Sequence, residues 1–175
     1  MKIGFIGLGN VGGKLAGSLI RNGHDVTVRD LDSTLVAEYV ARGANSAASP
    51  RELGEAVDLI ITCLPSPAAS AAVAEAEDGF LQVMRPGQVW LEMSTTDYSE
   101  IIRLGALVEA RGAMFMECPV SGGCHRADTG NIAIFAGGPR AALTRPRNAG
   151  ILRGLAFPGA PNRRGPPMRK DGRRP

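Results

Sequence analysis

The stretch 2–30, KIGFIGLGNVGGKLAGSLIRNGHDVTVRD, narrows the possible folds more than any other part of the chain. It opens with an apolar run over 3–8 and then passes through Gly7, Gly9 and Gly12, the spacing G-x-G-x-x-G. A segment with helical period follows over 11–20, and a second apolar run, 26–28, is soon closed by Asp30. The glycine spacing alone is a weak signal. Strand before, helix after, a second strand and an acid about 20 residues on make it a dinucleotide-binding fingerprint.

Each residue of the fingerprint has a physical task. Gly7 permits the tight turn out of the strand, Gly9 lets backbone approach a pyrophosphate, and Gly12 lets the helix pack close to the strand. Leu8, Asn10 and Val11 complete the turn, and the helix N-terminus then presents N–H groups and the positive end of its dipole to phosphate. Asp30 can accept hydrogen bonds from both ribose hydroxyls and repels a 2′-phosphate, which favours NAD over NADP. The adjacent Arg29 keeps NADP open. The competing reading is a glycine-rich turn in another α/β protein.

The rest of the chain predicts alternating strands and helices. Strands are expected over 2–8, 25–30, 44–48, 58–64, 89–93, 114–118 and 132–136. Helices are expected over 10–22, from an N-cap at Ser33 to 41, over 51–56, over 68–75, and from a cap at Thr96 or Asp97 to 111, with a small helix or turn over 79–84. Residues 119–130 read as a glycine-rich loop. This order predicts an α/β fold, a Rossmann-type doubly wound and mostly parallel sheet with right-handed crossovers. Ligands of such sheets sit beyond the carboxyl ends of the strands. That rule gathers Gly7–Gly12, Asp30, Leu64-Pro65, Ser94-Thr95 and the loop 119–123 into one crevice.

Composition limits the alternatives. The chain of 175 residues is 44% hydrophobic and 5% aromatic, the flavour of buried parallel strands. Its longest apolar stretches are about six residues, too short to span a membrane, and its start does not read as a signal peptide. The cytoplasm is therefore the expected compartment. Three cysteines without C-x-x-C spacing argue against a disulfide framework: Cys63 and Cys118 read as strand residues, Cys63 in the core, and Cys124 as an exposed loop thiol. No His, Cys, Asp and Glu cluster has metal-ligand spacing, so no metal site is expected.

Charge divides the chain. Residues 1–139 hold 10 Lys+Arg against 16 Asp+Glu, whereas 140–175 hold 10 Lys+Arg against one acid. Seven of the 12 prolines fall in 139–175. The expected division is a dinucleotide-binding domain over 1–138 and a basic, Pro/Arg/Gly-rich tail over 139–175.

The segments FIGLGNVGGKLAGSLIRNGHDVTVRD, DLIITCLPSP, LEMSTTD and ECPVSGGCHRADTGNIAIFAGG carry a family resemblance. Over most of 1–138 the chain resembles the β-hydroxyacid dehydrogenases, the group of 3-hydroxyisobutyrate dehydrogenase, tartronate semialdehyde reductase and 6-phosphogluconate dehydrogenase. The resemblance implies that residues Gly7 to Gly12 with Asp30 hold the NAD diphosphate and ribose. It implies that Leu64 and Pro65 line the cofactor's path, and that Thr95 lies near the nicotinamide. It also implies that Ser121, Gly122 and Gly123 offer a hydroxyl and backbone N–H groups to the carboxylate of a small substrate. On residues alone, 121–123 reads as a plain turn and Thr95 as a helix-start residue. A hydrolase nucleophile is excluded at Ser121, which lacks a G-x-S-x-G elbow.

Past Gly138 the resemblance lapses. The family continues into a helical domain with a lysine general acid/base after a Gly-rich segment, and 139–175 contains neither. The three lysines are Lys2, Lys14 and Lys170, and none is assigned catalysis. The tail reads as out-of-frame sequence, as a native disordered basic segment, or as a nucleic-acid-binding arm. The third reading has against it a single aromatic, Phe157, and no basic-helix pattern. The function expected is the NAD(P)-binding part of a small β-hydroxy acid oxidoreductase, nearly inactive alone. The alternative is a non-catalytic dinucleotide-binding module, and a homo-oligomer stays open.

Overall fold

The computed structural model describes residues 1–139, 142, 151, 152 and 155. Its centre is a parallel sheet of six strands: β1 (Lys2–Ile6), β2 (Asp25–Arg29), β3 (Asn45–Ser46), β4 (Leu59–Thr62), β5 (Val89–Glu92) and β6 (Met114–Glu117). The spatial order is β3-β2-β1-β4-β5-β6, so the winding reverses between β1 and β4. That reversal is the switch point at which doubly wound sheets open a crevice. Every residue of β4 and β5 is buried, Thr62 and Glu92 included, and β4 accordingly reads as a strongly apolar stretch.

Helices cover both faces. One face carries α1 (Gly12–Arg21) and α2 (Ser33–Ala41), with Leu15, Leu19 and Tyr39 packed on Phe5, Val28 and Ile61. The other carries α3 (Pro50–Ala56), α4 (Pro67–Glu75), a 3-10 turn (Phe80–Gln82) and α5 (Tyr98–Glu109). At its centre Trp90 stands edge-on to Phe80 and Phe115, with ring centroids 4.9 Å away in each case. Its indole N–H donates to Thr62 Oγ1 at 2.7 Å, so the buried ring leaves no unsatisfied donor.

Side chains cap four of these helices. Asp32 accepts from the Thr34 amide, Ser49 from Glu52, Ser66 from Ala69, and Asp97 from Ser99. Asp32, not the expected Ser33, caps α2; its carboxylate reaches two residues on, and Ser33 is already helical. No side chain caps α1, and its first turn holds no acid.

The segment after β6 departs most from expectation. The anticipated loop 119–130 contains β7 (Val120–Ser121) and α6 (Gly123–Asp128). The anticipated strand 132–136 is β8 (Ala133–Ile134), paired antiparallel with β7 in a separate two-stranded sheet. Left-handed backbone at Gly122 (φ 128°) and Gly123 (φ 76°) turns the chain from β7 straight into α6. Arg21 donates to the Asp128 carbonyl at 2.8 Å and Lys14 pairs with the Asp128 carboxylate at 3.8 Å, so α6 docks on α1.

Ala142, Ile151 and Leu155 are helical and buried, in one cluster with Met116, Cys118 and Ala127. These three described residues lie past the division expected at Gly138. The remaining tail calls, Lys170 and the basic Pro/Arg-rich stretch among them, lie outside the described residues. No helix among the described residues is long and apolar enough to cross a membrane.

Candidate functional site

A crevice of about 870 Å³ opens at the carboxyl ends of β1, β2, β4 and β5. Gly7, Gly9, Asn10, Val11, Gly12, Asp30, Leu64, Pro65 and Thr95 all line it, so four of the five segments gathered by the sequence meet there. Of the fifth, only Val120 reaches the wall. Ser121, Gly122 and Gly123 are exposed beside it. Leu8 lines nothing: its side chain is buried in the core beside Leu15 and Val28, and only its backbone serves the site.

The three fingerprint glycines are held for three different reasons. Gly7 has φ 98°, a left-handed conformation that disfavours a side chain, and a Cβ there would overlap the Cys63 carbonyl. A Cβ on Gly12 would overlap the Gly7 carbonyl and press on Cys63, so this glycine sets the approach of α1 to the sheet. A Cβ on Gly9 would meet nothing among the described residues within 4 Å. Packing therefore does not demand a glycine at 9; the open space beside it belongs to the crevice.

Asp30 is fixed before any ligand arrives. Its Oδ2 accepts the Leu8 amide at 2.6 Å and its Oδ1 accepts the Asp32 amide at 2.9 Å. Each carboxylate oxygen retains a lone pair for a further donor. The uncapped first turn of α1 lies alongside, so the positive end of a helix dipole faces the same space. An anion beside an acid is the arrangement that a diphosphate followed by a ribose requires.

The far wall is built from β4 and β5. The Ser94 hydroxyl accepts the Leu64 amide at 2.8 Å, tying together the segments that follow the two strands. Cys63, expected in the core, is only half buried and stands in the crevice wall. Desolvation, with the nearby Glu92 charge adding, pushes its thiol up to about 12, so it stays protonated at neutral pH. Cys118 is buried just past β6 and is pushed up to about 12 by the same desolvation, with Glu117 and Glu92 adding. Cys124 is exposed, as expected, though on α6 rather than in a loop.

The crevice extends further than the motifs indicate. Arg29, Pro50, Ala72, Val73 and Asp78 line an extension beside α4. The Arg29 Nε is buried with no hydrogen-bond partner among the described residues. The available signal was composition: α4 is PAASAAVAE, and small side chains leave room on a helix that covers a strand end. No group of three His, Cys, Asp or Glu among the described residues could hold a metal ion.

Comparison with known proteins agrees with this geometry. The model of the NAD binding domain of 6-phosphogluconate dehydrogenase matches residues 2–154. The mitochondrial 3-hydroxyisobutyrate dehydrogenase of Rattus norvegicus is 38% identical over 136 residues, 78% of this chain and 41% of that protein. The solved Mycobacterium tuberculosis 3-hydroxyisobutyrate dehydrogenase with L-serine superposes with a TM-score of 0.79 at 29% identity, covering 89% of this chain and 52% of that one. Psf3 in complex with NADP+ gives 0.83 at 26% identity, covering 92% and 59%. The chain thus spans less than half the length of the rat enzyme and little more than half of these structures. Fold, crevice and sequence match together assign it: the chain belongs to the family of the NAD binding domain of 6-phosphogluconate dehydrogenase, alongside the 3-hydroxyisobutyrate dehydrogenases.

Proposed function

We propose that this chain is the NAD-holding part of an oxidoreductase acting on a small β-hydroxy acid of the 3-hydroxyisobutyrate kind. The observation that carries the reading is the open space at Gly9 between an uncapped helix start and a pinned Asp30. The chemistry that NAD supplies when bound is acceptance of hydride from a hydroxyl-bearing carbon. The chain's own part is to hold and orient. Backbone amides at 9–12 would take the diphosphate, Asp30 the adenosine ribose, and Leu64, Pro65 and Thr95 the opposite wall. Ser121 with the amides of Gly122 and Gly123 would take the substrate carboxylate.

The described residues place no lysine at the crevice to act as the general acid/base that the family resemblance implies. Their lysines are Lys2 and Lys14; neither lines the crevice, and Lys14 pairs with Asp128. Loss of a general acid/base costs about 10²–10⁴-fold in rate. The 175-residue chain by itself is therefore expected to bind NAD and to turn over almost nothing. Appearance of reduced nicotinamide on mixing the chain, NAD and 3-hydroxyisobutyrate tests this. No reduction above background is the expected result, and turnover at an ordinary enzyme rate would refute it.

A further inference from the structure

Among the described residues, Glu92 is the one buried charged side chain, with no solvent exposure. One of its oxygens, Oε1, accepts the Ser94 amide at 2.8 Å. The other, Oε2, has no hydrogen-bond partner among the described residues. A carboxylate buried with half its acceptors idle is costly, so it is a poor choice for simply filling the core.

Its position suggests a use. Thr62 and Glu92 are level in the β4–β5 register, and the Met93 amide donates to the Thr62 carbonyl at 2.8 Å. Past that bond a side-chain relay takes over from the ladder: Glu92 holds the Ser94 amide, and the Ser94 hydroxyl holds the Leu64 amide. The relay fixes how far the segment at Leu64 and Pro65 stands from the segment at Thr95, two sides of the same crevice.

Strand order says which end of the cofactor this affects. Asp30 follows β2 and the glycine turn follows β1, so ribose and diphosphate occupy that side. The segments after β4 and β5 are left to face the nicotinamide half. We propose that Glu92 is a positioning residue which, through Ser94, sets the nicotinamide side of the crevice without touching the cofactor. The proposal rests on the NAD-binding reading above.

Affinities for NAD and for ADP-ribose, which lacks the nicotinamide, test it in the full chain carrying E92Q, E92L or S94A. E92L and S94A are expected to weaken NAD about tenfold or more, because the buried Ser94 amide in the first and the part-buried Leu64 amide in the second lose their acceptor. ADP-ribose affinity is expected to stay within about twofold. E92Q keeps an amide oxygen for Ser94 and is expected to bind NAD as the parent does. Equal losses for both ligands would reduce Glu92 to a general structural residue, and unchanged NAD affinity in S94A would overturn the proposal. S94A keeps the buried carboxylate intact and so decides the question if E92L does not fold. Failure of the parent chain to bind either ligand would refute the NAD-binding reading itself.

Discussion

Asp30 and Leu8 are joined by a hydrogen bond of 2.6 Å, from the backbone amide of one to the carboxylate of the other. The acid that would read the ribose therefore also fastens the end of β2 to the turn leaving β1. Asp30→Ala would confound the two roles. Asp30→Asn keeps an oxygen for the Leu8 amide and removes the charge. Its NH2 group replaces the oxygen that accepts the Asp32 amide, so it is expected to lower the melting temperature modestly and to raise NADP affinity relative to NAD. An unchanged NAD/NADP ratio would count against Asp30 as the selector.

Gly9 and Gly12 separate binding from folding. Gly12→Ala drives a methyl group into the Gly7 carbonyl, and overpacking of this kind costs about 1–3 kcal/mol. Gly9→Ala meets no atom of the described residues within 4 Å, so stability should change by less than about 0.5 kcal/mol while NAD affinity falls. Chemical denaturation and NAD titration of both variants check the contrast.

The three thiols should react in a fixed order. Cys124 is exposed, Cys63 is half buried in the crevice wall, and Cys118 is buried. Burial holds Cys63 and Cys118 at about 12, so neither supplies appreciable thiolate at pH 8. Alkylation of the native chain should label Cys124 quickly and the other two only on unfolding, as peptide mapping would show.

Arg103 gives the fold an acid-sensitive contact. Its guanidinium donates to both Glu75 oxygens and to Glu100, and this hydrogen bonding holds Glu75 and Glu100 below their ordinary 4.5. A carboxylate depressed in the native state binds protons more weakly there than in the unfolded chain. Its stabilisation is therefore present above pH 4.5 and is lost as pH falls through the native value. The pairs are surface ones, worth below about 1 kcal/mol each. Arg103→Leu should flatten the stability–pH curve on the acid side and change little at pH 7.

The parallel sheet was readable because buried strands such as 59–62 are strongly apolar stretches, and the fingerprint because its glycines stand at a spacing dictated by backbone geometry. The region 119–136 was not. Its strands are two residues each, too short for a period, and left-handed Gly122 and Gly123 serve equally in a loop or at a helix start. The site was legible at its tips and opaque behind them. Asn10, Pro65, Ser94 and Thr95 sit in motifs, while the hydrogen bonds from the Leu64 amide to Ser94 and from the Ser94 amide to Glu92 are ones that pattern does not encode. Gln88 is similar: it is buried, donates to the Gly54 and Val57 carbonyls, and accepts from Arg85.

Calorimetric titration of NAD into the 175-residue chain, paired with thermal melting, tests the central claim most directly. One saturable site is predicted. At NAD about 100-fold above its dissociation constant the chain should gain about 2.7 kcal/mol, or roughly 5–10 °C in melting temperature. The Gly9→Ala chain should melt like the parent without NAD and gain much less with it. No heat of binding and no shift at millimolar NAD, from a chain that melts cooperatively, would contradict the claim that this crevice holds the dinucleotide.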